Sequence, residues 1–205
     1  MSILKGVGVA LVTPFNEDLS VDFDSLTKLV EYNIENGTNY LVVLGTTAEA
    51  ATLSAEEKKQ VIEHIIKVNN KRLPLVLGIG GNNTLEVKKQ IEEADLSAFE
   101  AVLSVSPYYN KPNQEGVYQH YKYLSEASPL PILLYNVPGR TGINMTPETT
   151  CRLAHDFKNL IGIKDAAGTF EQFNQIMRDK PVDFMLISGD DPVALPMMAI
   201  GDVGV

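Results

Sequence analysis

The stretch Leu160-Ile161-Gly162-Ile163-Lys164-Asp165 decides the fold, because it is a short, β-branched, apolar run. Such a run is typical of a parallel strand that is buried on both faces. Lys164 is its first charged residue and stands near its carboxyl end. Burial disfavours the ammonium ion and lowers the pKa of a lysine, which leaves an amine able to form a Schiff base with a ketone or aldehyde. The alternative is a strand-end lysine that extends its ammonium group into water.

Apolar runs alternate with helical patterns along almost the whole chain. Strands are predicted at residues 6–15, 40–45, 73–80, 99–106, 131–137, 160–165 and 184–189. Helices are predicted at residues 24–35, 55–69, 84–95, 114–126, 147–157, 170–179 and 192–200. Ser54 followed by Glu57 is a capping box, and Thr146-Pro147-Glu148 is a typical helix start. Strand–helix units in series predict a parallel sheet.

Seven such units predict an α/β protein of the (β/α)8 TIM-barrel type, truncated within the eighth strand. Such barrels usually need about 250 residues, whereas this chain ends at Val203-Gly204-Val205, where the eighth strand would run. No linker or shift in composition divides the chain, so residues 1–205 are predicted to form a single domain. An open doubly wound sheet is disfavoured because no Gly-x-Gly-x-x-Gly turn follows the first strand.

Composition excludes several classes of function. The net charge is −9 and no run of Lys or Arg exceeds two residues, which argues against a nucleic-acid partner. No apolar run approaches the roughly 18 residues of a membrane span, and no signal peptide is recognisable. The single cysteine, Cys151, indicates a reducing compartment, and we expect the cytoplasm. The three histidines lack metal-ligand spacing, so we predict neither a metal nor an organic cofactor.

Polar and aromatic residues gather where the predicted strands end, which is the edge that carries the active site in barrel enzymes. They are Thr46, Thr47, Tyr108, Tyr109, Tyr135, Arg140, Lys164 and Gly189. The hydroxyl of Tyr135 is suited to proton transfer beside a Schiff base, although a large side chain that closes the barrel is the alternative. Arg140 suits either a substrate carboxylate or a surface ion pair. Asp190-Asp191 indicates a pair of residues at a helix N-cap.

Four motifs together resemble the dihydrodipicolinate synthase family, within the N-acetylneuraminate lyase superfamily of class I aldolase-like barrels. They are Gly45-Thr46-Thr47-Ala48-Glu49-Ala50-Ala51-Thr52-Leu53, Ser106-Pro107-Tyr108-Tyr109-Asn110-Lys111-Pro112, Tyr135-Asn136-Val137-Pro138-Gly139-Arg140-Thr141-Gly142 and Gly162-Ile163-Lys164-Asp165. The likeness extends from Gly6 to Val205. It implies condensation of pyruvate with aspartate-4-semialdehyde to 4-hydroxy-tetrahydrodipicolinate, on the route to diaminopimelate and lysine, without a cofactor.

The resemblance also implies catalytic roles. Lys164 would form the pyruvate imine and Tyr135 would be the main proton-transfer group. Thr46 and Thr47 match the paired threonines of the family, one of which links two tyrosines in a proton relay. Tyr109 matches the relay tyrosine that reaches into a neighbouring subunit, and family members are commonly homodimers or homotetramers.

Substrate contacts are implied for Thr47, for Arg140 at the carboxylate of the aldehyde, and for Gly189 beside pyruvate. The runner-up function is a related pyruvate aldolase, such as an N-acetylneuraminate or keto-deoxy-sugar acid lyase. Arg140 argues against it, because a polyhydroxylated chain needs hydroxyl and amide partners instead of a cation. A catalytically silent fragment or binding protein is the third hypothesis, since a barrel without its eighth strand exposes two sheet edges.

Departures from the family pattern concern the loop after the second strand and the lysine-feedback pocket of the family. Ala48 replaces a common glycine and Ala50 replaces a serine. Histidines that some members carry in this pocket are replaced by Ala55 and Lys58. The remaining candidates for allosteric residues are Asn82, Glu86 and Tyr108, and we expect weak feedback by lysine. The C-terminal helical segment of the family is a further departure, since no counterpart of it is present in this sequence.

Overall fold

The computed structural model describes residues 3–205, which form two compact units. The first unit comprises the described residues up to Gly78 together with Ser97–Glu100, and the second comprises Ile79–Leu96 and Ala101–Val205. In both units parallel strands alternate with helices, as the sequence predicts. The single domain predicted for residues 1–205 stays a prediction.

The first unit contains three parallel strands in the order β1-β2-β3. Its elements are β1 (Gly8–Ala10), α1 (Phe23–Glu35), β2 (Tyr40–Val43), a 3₁₀ turn (Thr46–Ala48), α2 (Ala55–Asn69) and β3 (Leu75–Gly78). The middle strand β2 is buried along its whole length. Helix α1 buries Leu26 and Val30 on one face, as expected for an amphipathic helix.

Strand β1 is much shorter than the predicted strand at residues 6–15. Pro14 has no amide hydrogen and cannot continue a strand ladder. After it the chain folds back, with an isolated antiparallel bridge between Phe15 and Val21 and a hydrogen bond of 2.9 Å from the Asp22 amide to the Pro14 carbonyl. The apolar pattern therefore overestimated β1, because the apolar residues continue to Phe15 although the strand ends at Ala10.

The second unit contains four parallel strands in the order β4-β5-β6-β7. Its elements are α3 (Thr84–Glu93), β4 (Ala101–Val105), α4 (Gln114–Ala127), β5 (Ile132–Asn136), α5 (Pro138–Thr141), α6 (Pro147–Asp156), β6 (Leu160–Asp165), α7 (Phe170–Asp179), β7 (Met185–Ser188) and α8 (Asp191–Ala199). Strands β4 and β5 are buried at every residue. The one-turn helix α5 and the 3₁₀ turn are the elements that sequence patterns missed, because each is too short to show a helical period.

The last residues pair with β7 where the eighth strand is predicted. The Val203 amide donates to the Leu186 carbonyl at 3.1 Å, and the Ser188 amide donates to the Gly204 carbonyl at 2.9 Å. Among residues 3–205 no helix is both long and apolar enough to cross a membrane.

The capping box that starts α2 is confirmed and gives a test of local stability. The Ser54 hydroxyl accepts from the Glu57 amide, and the Glu57 carboxylate accepts from the Ser54 amide at 2.8 Å. Ser54→Ala should lower the free energy of unfolding by about 1 kcal/mol, because the Glu57 amide loses its partner. Urea unfolding measures this loss. Ser54→Thr keeps the hydroxyl, which also donates to the Glu57 carboxylate at 2.7 Å, and is the control. An equal loss in both variants would contradict the capping role.

Candidate active site

Lys164 lies near the carboxyl end of β6, directly beside Tyr135 of β5. The two residues are paired in the register of the parallel strands, so their side chains leave the same face of the sheet. The Lys164 ammonium nitrogen lies 5.3 Å from the centroid of the Tyr135 ring. Tyr135 is 7% exposed, which makes its ring a buried neighbour of the amine. The predicted proximity of these two residues is therefore present in the structure.

The surroundings of Lys164 favour its neutral form. Burial lowers the pKa of the Lys164 ammonium group, and the negative charge of Asp191 partly opposes this effect. A lower pKa raises the fraction of neutral amine at a given pH, and only the neutral amine is nucleophilic. The site can therefore supply more of the neutral, nucleophilic amine than an exposed lysine would at the same pH.

Gly189 follows β7 and leaves room for the Lys164 side chain. A Cβ atom built at this position would lie 3.1 Å from Cγ of Lys164 and 2.9 Å from Cβ of Ala166. The Gly189 amide donates to the Asp165 carbonyl at 2.9 Å, which holds the backbone in place. The structure thus brings Gly189 together with Lys164, next to the position predicted for pyruvate.

Arg140 lies on the one-turn helix α5, which directly follows β5. Val137 precedes the helix as its N-cap and Pro138 is its first residue, a position that suits the fixed φ angle of proline. Gly142 ends it with a φ angle of 71°, in the left-handed region. Arg140 is exposed and, within residues 3–205, makes no ion pair. Its guanidinium is therefore free to bind a carboxylate from solution.

The segment after β4 carries Tyr108 and Tyr109. Tyr109 is 87% exposed and has a φ angle of 71°, which a bulky residue rarely adopts. The Asn110 side-chain amide donates to the Asn82 carbonyl at 3.2 Å, so this segment contacts one of the allosteric candidates. Another, Glu86, lies in the first turn of α3, where its amide donates to the Asn83 side chain. No bond joins Tyr109 to Lys164 within the described residues.

Thr46 and Thr47 belong to the first unit, in the 3₁₀ turn that follows β2. Thr47 is exposed and Thr46 is partly buried. The next residue, Ala48, is 2% exposed, and its carbonyl accepts a hydrogen bond of 2.8 Å from the Thr13 hydroxyl. Ala48 does not have a positive φ angle, so the turn does not require the glycine that is common in the family. Ala50 follows as a partly buried residue.

Sequence reasoning missed a group of buried polar residues behind Lys164. Asn136 and Asp165 are both 0% exposed and are linked by a hydrogen bond of 3.1 Å. The Gln172 side-chain amide donates to the other carboxylate oxygen of Asp165 at 2.8 Å. The available signal was a polar residue next to Tyr135 and another next to Lys164, each within an apolar strand.

The acidic pair after β7 differs from its prediction. Asp190 occupies the N-cap position of α8, but its side chain makes no capping hydrogen bond. The Ser188 hydroxyl instead accepts from the Asp190 amide at 3.4 Å and donates to the Asp190 carbonyl at 3.0 Å. Among residues 3–205 there is no cluster of three His, Cys, Asp or Glu side chains suited to a metal ion.

Gly189 provides a steric test of the site. Gly189→Ala should move the Lys164 side chain, because the new methyl group would meet Cγ of Lys164 at 3.1 Å. We expect slower formation of a borohydride-reducible imine with pyruvate, by at least about tenfold, since misplacing a reacting atom by about 1 Å can cause a 10²-fold loss. Gly139→Ala is the control, since nothing lies within 4 Å of a Cβ atom there. Equal imine formation in both variants would mean that Gly189 does not set the position of Lys164.

Comparisons with known proteins agree with this geometry. The 4-hydroxy-tetrahydrodipicolinate synthase of Flavobacterium psychrophilum is 61% identical over 205 residues, which cover all of this chain and 70% of that protein. Dihydrodipicolinate synthase from Thermotoga maritima superimposes with a TM-score of 0.95 at 42% identity, covering 100% of this chain and 70% of that one. The chloride-inhibited dihydrodipicolinate synthase from Acinetobacter baumannii, complexed with pyruvate, superimposes with a TM-score of 0.93 at 48% identity. This alignment covers 98% of this chain and 69% of that one. These structures confirm the predicted fold class.

A model of the dihydrodipicolinate synthetase family matches residues 3–205, and the chain belongs to this family.

Proposed function

We propose that this chain is a 4-hydroxy-tetrahydrodipicolinate synthase in which Lys164 forms a covalent imine with pyruvate. The observation that carries the proposal is the partly buried amine of Lys164, whose nitrogen lies 5.3 Å from the centre of the Tyr135 ring. Burial lowers the pKa of this amine. Relatives at up to 61% identity over the full chain bear this enzyme name, which supports the activity.

The chemistry requires an amine and a group that moves protons. The neutral Lys164 amine attacks the ketone carbon of pyruvate, and loss of one water molecule gives the imine. Water leaves only after its oxygen gains a proton, and the amine must lose its own protons in the same sequence. We assign these transfers to the Tyr135 hydroxyl, because Tyr135 is the titratable neighbour on the paired strand. Loss of a proton from the methyl carbon then gives an enamine that attacks the aldehyde of the second substrate.

We assign Arg140 to the carboxylate of aspartate-4-semialdehyde. An exposed guanidinium without an ion pair among the described residues suits a substrate carboxylate better than a structural role. Binding of the second substrate would thus depend on α5, whereas binding of pyruvate would depend on β6. The same cation disfavours a sugar-acid lyase, whose substrate presents hydroxyl groups at this place.

Further assignments follow the family resemblance and stay predictions. They are proton relay by Thr46, Thr47 and Tyr109, a homodimer or homotetramer, a cytoplasmic location, and weak feedback by lysine at Ala50, Asn82, Glu86 and Tyr108.

Borohydride trapping tests the proposal. Reduction in the presence of pyruvate should add a stable three-carbon group to the peptide that contains Lys164, because the imine becomes a secondary amine. The yield should rise with pH through a pKa below that of free lysine, because burial lowers the pKa of Lys164 and only the neutral amine reacts. Peptide mass spectrometry locates the label.

Lys180 provides a matched control for the trapping experiment. Burial also lowers the pKa of Lys180, but this residue lies at the end of α7, away from the strand ends. Lys164→Arg should abolish labelling, whereas Lys180→Arg should leave it intact. A label on another lysine, or none in the folded parent enzyme, would refute the mechanism.

Removal of the Arg140 cation tests the assignment of the second substrate. Arg140→Ala should raise the KM for aspartate-4-semialdehyde by about tenfold or more, because loss of one charged hydrogen bond weakens binding by about 1.5–3 kcal/mol. The KM for pyruvate should change far less. Steady-state kinetics measure both values, with Arg178→Ala as a control that removes an exposed arginine bonded to Asp179. An equal change for both substrates would indicate a structural role for Arg140.

A further inference from the structure

Four polar side chains form a continuous hydrogen-bonded network behind the ends of β5 and β6. They are Asn136, Asn144, Asp165 and Gln172, and we call them the strand-end network. The Asn136 amide nitrogen donates to Asp165 at 3.1 Å and to the Asn144 side-chain oxygen at 2.8 Å. Gln172 closes the ring, because it donates to Asp165 at 2.8 Å and accepts from the Asn144 amide nitrogen at 2.8 Å.

Asp165 is the charged member of the network and is fully buried. Its carboxylate accepts from Asn136 and Gln172, and also from the Ala167 amide at 2.9 Å. All three partners are donors, which suits an ionised carboxylate, because this group only accepts. Burial raises the pKa of Asp165 above its ordinary value, and the three donors limit this rise. Retaining a buried charge in this way adds little to stability compared with apolar packing, so another role is expected.

One side of the network fixes the end of β6 that carries Lys164. Asp165 is the next residue, and its side chain leaves the opposite face of the strand. The backbone on either side is tied to the neighbouring strands, since the Ala166 amide donates to the Asn136 carbonyl at 2.8 Å and the Asp165 carbonyl accepts from Gly189. Rotation of this strand end would turn Lys164 away from Tyr135, and the anchored Asp165 side chain opposes it.

The other side of the network fixes both ends of the segment that carries Arg140. Asn136 precedes this segment, and its side-chain oxygen accepts from the Met145 amide at 3.0 Å. Asn144 lies at the end of the segment, and its carbonyl accepts from the Gln114 side chain at 2.8 Å. Residues 137–143, with α5 and Arg140, are therefore held at both ends. Asn136 bonds directly to Asp165, whereas Asn144 is joined to Asp165 only through Asn136 and Gln172.

We propose that the strand-end network positions Arg140 relative to Lys164, and that its members are positioning residues for the second substrate. This inference rests on the proposed function, because it assumes that the Lys164 imine and the carboxylate bound by Arg140 must lie at a fixed separation when the carbon–carbon bond forms. The network does not contact the reacting atoms. It joins the two strand ends and the Arg140 segment into one hydrogen-bonded unit.

Asn144 offers the first test, because it lies at the surface and its removal should leave the fold intact. Asn144→Ala removes the hydrogen bonds that join the Asn144 side chain to Asn136 and Gln172. We expect the KM for aspartate-4-semialdehyde to rise by about tenfold or more, because small displacements of an orienting group have large effects on rate and binding. The KM for pyruvate should change less than about twofold, and the pyruvate imine should still be trapped at Lys164.

Gln175→Ala is the matched control on the same helix as Gln172. Gln175 bonds to Glu148 at 2.7 Å, outside the network, so its removal should change neither KM. An equal change of both KM values in Asn144→Ala, or no change beyond that of Gln175→Ala, would overturn the inference.

Reversal of one hydrogen bond gives a second test that separates geometry from a general loss of stability. Asp165→Asn sets an amide group against the Gln172 amide, so two donors face each other. Gln172→Glu sets two carboxylates against each other. We expect each single variant to lower kcat/KM by about 10²-fold, because repulsion between the two side chains would displace the strand end that carries Lys164 and the segment that carries Arg140.

The double variant, with Asp165→Asn and Gln172→Glu together, restores a donor opposite an acceptor. It preserves the contacts to Asn136, Ala167 and the Asn144 amide nitrogen, and gives up only two longer contacts of the Gln172 amide, at 3.3 Å and 3.4 Å. We expect kcat/KM to recover by at least about tenfold over either single variant. A folded double variant without recovery would overturn the inference.

The trapping experiment separates failure of the proposed function from failure of this inference. If the parent enzyme traps no pyruvate at Lys164, the proposed function fails. If it does trap pyruvate and the variants behave like Gln175→Ala, only the inference fails.

Discussion

Desolvation of the Lys164 amine is the constraint on which the rest of the site depends. A lysine in an apolar strand is tolerated because its amine can lose its proton, and that same loss makes it a nucleophile. Burial lowers the pKa of Lys164, and the negative charge of Asp191 partly opposes this decrease. Strand pairing then decides which groups meet the amine, since the register sets Tyr135 beside it and Ile187 on its other side.

The sequence predicted most of the fold because parallel strands buried on both faces leave long apolar signals. Strand β6 at Leu160–Asp165 has the predicted bounds, and the capping box at Ser54 marks the start of α2 correctly. Errors arose where local chemistry overrides the pattern. The apolar residues after β1 continue to Phe15, but the strand ends at Ala10 and Pro14 cannot continue the ladder. Helix α5 at Pro138–Thr141 has only 4 residues, too few to show a helical period.

The candidate site was predictable where a residue's chemistry is visible in its local sequence. Lys164 stands out as a charge in an apolar run, and Arg140 as a cation in a turn. The strand-end network was not predictable in this way, because Asn144 and Gln172 look like ordinary polar residues of a loop and a helix. Their places in the network depend on tertiary packing, since Asn144 and Gln172 bond to each other although α6 and β6 separate them along the chain.

The buried alanine in the 3₁₀ turn has a consequence for the unfolded chain. Glycine loses more backbone freedom on folding than any other residue, and Ala48 adopts its native φ angle without entering the left-handed region. An alanine in place of glycine at such a position stabilises a protein by about 0.4–1 kcal/mol, chiefly by restricting the denatured ensemble. The turn that carries Thr46 and Thr47 therefore becomes ordered at a smaller entropic cost than it would with glycine at this position.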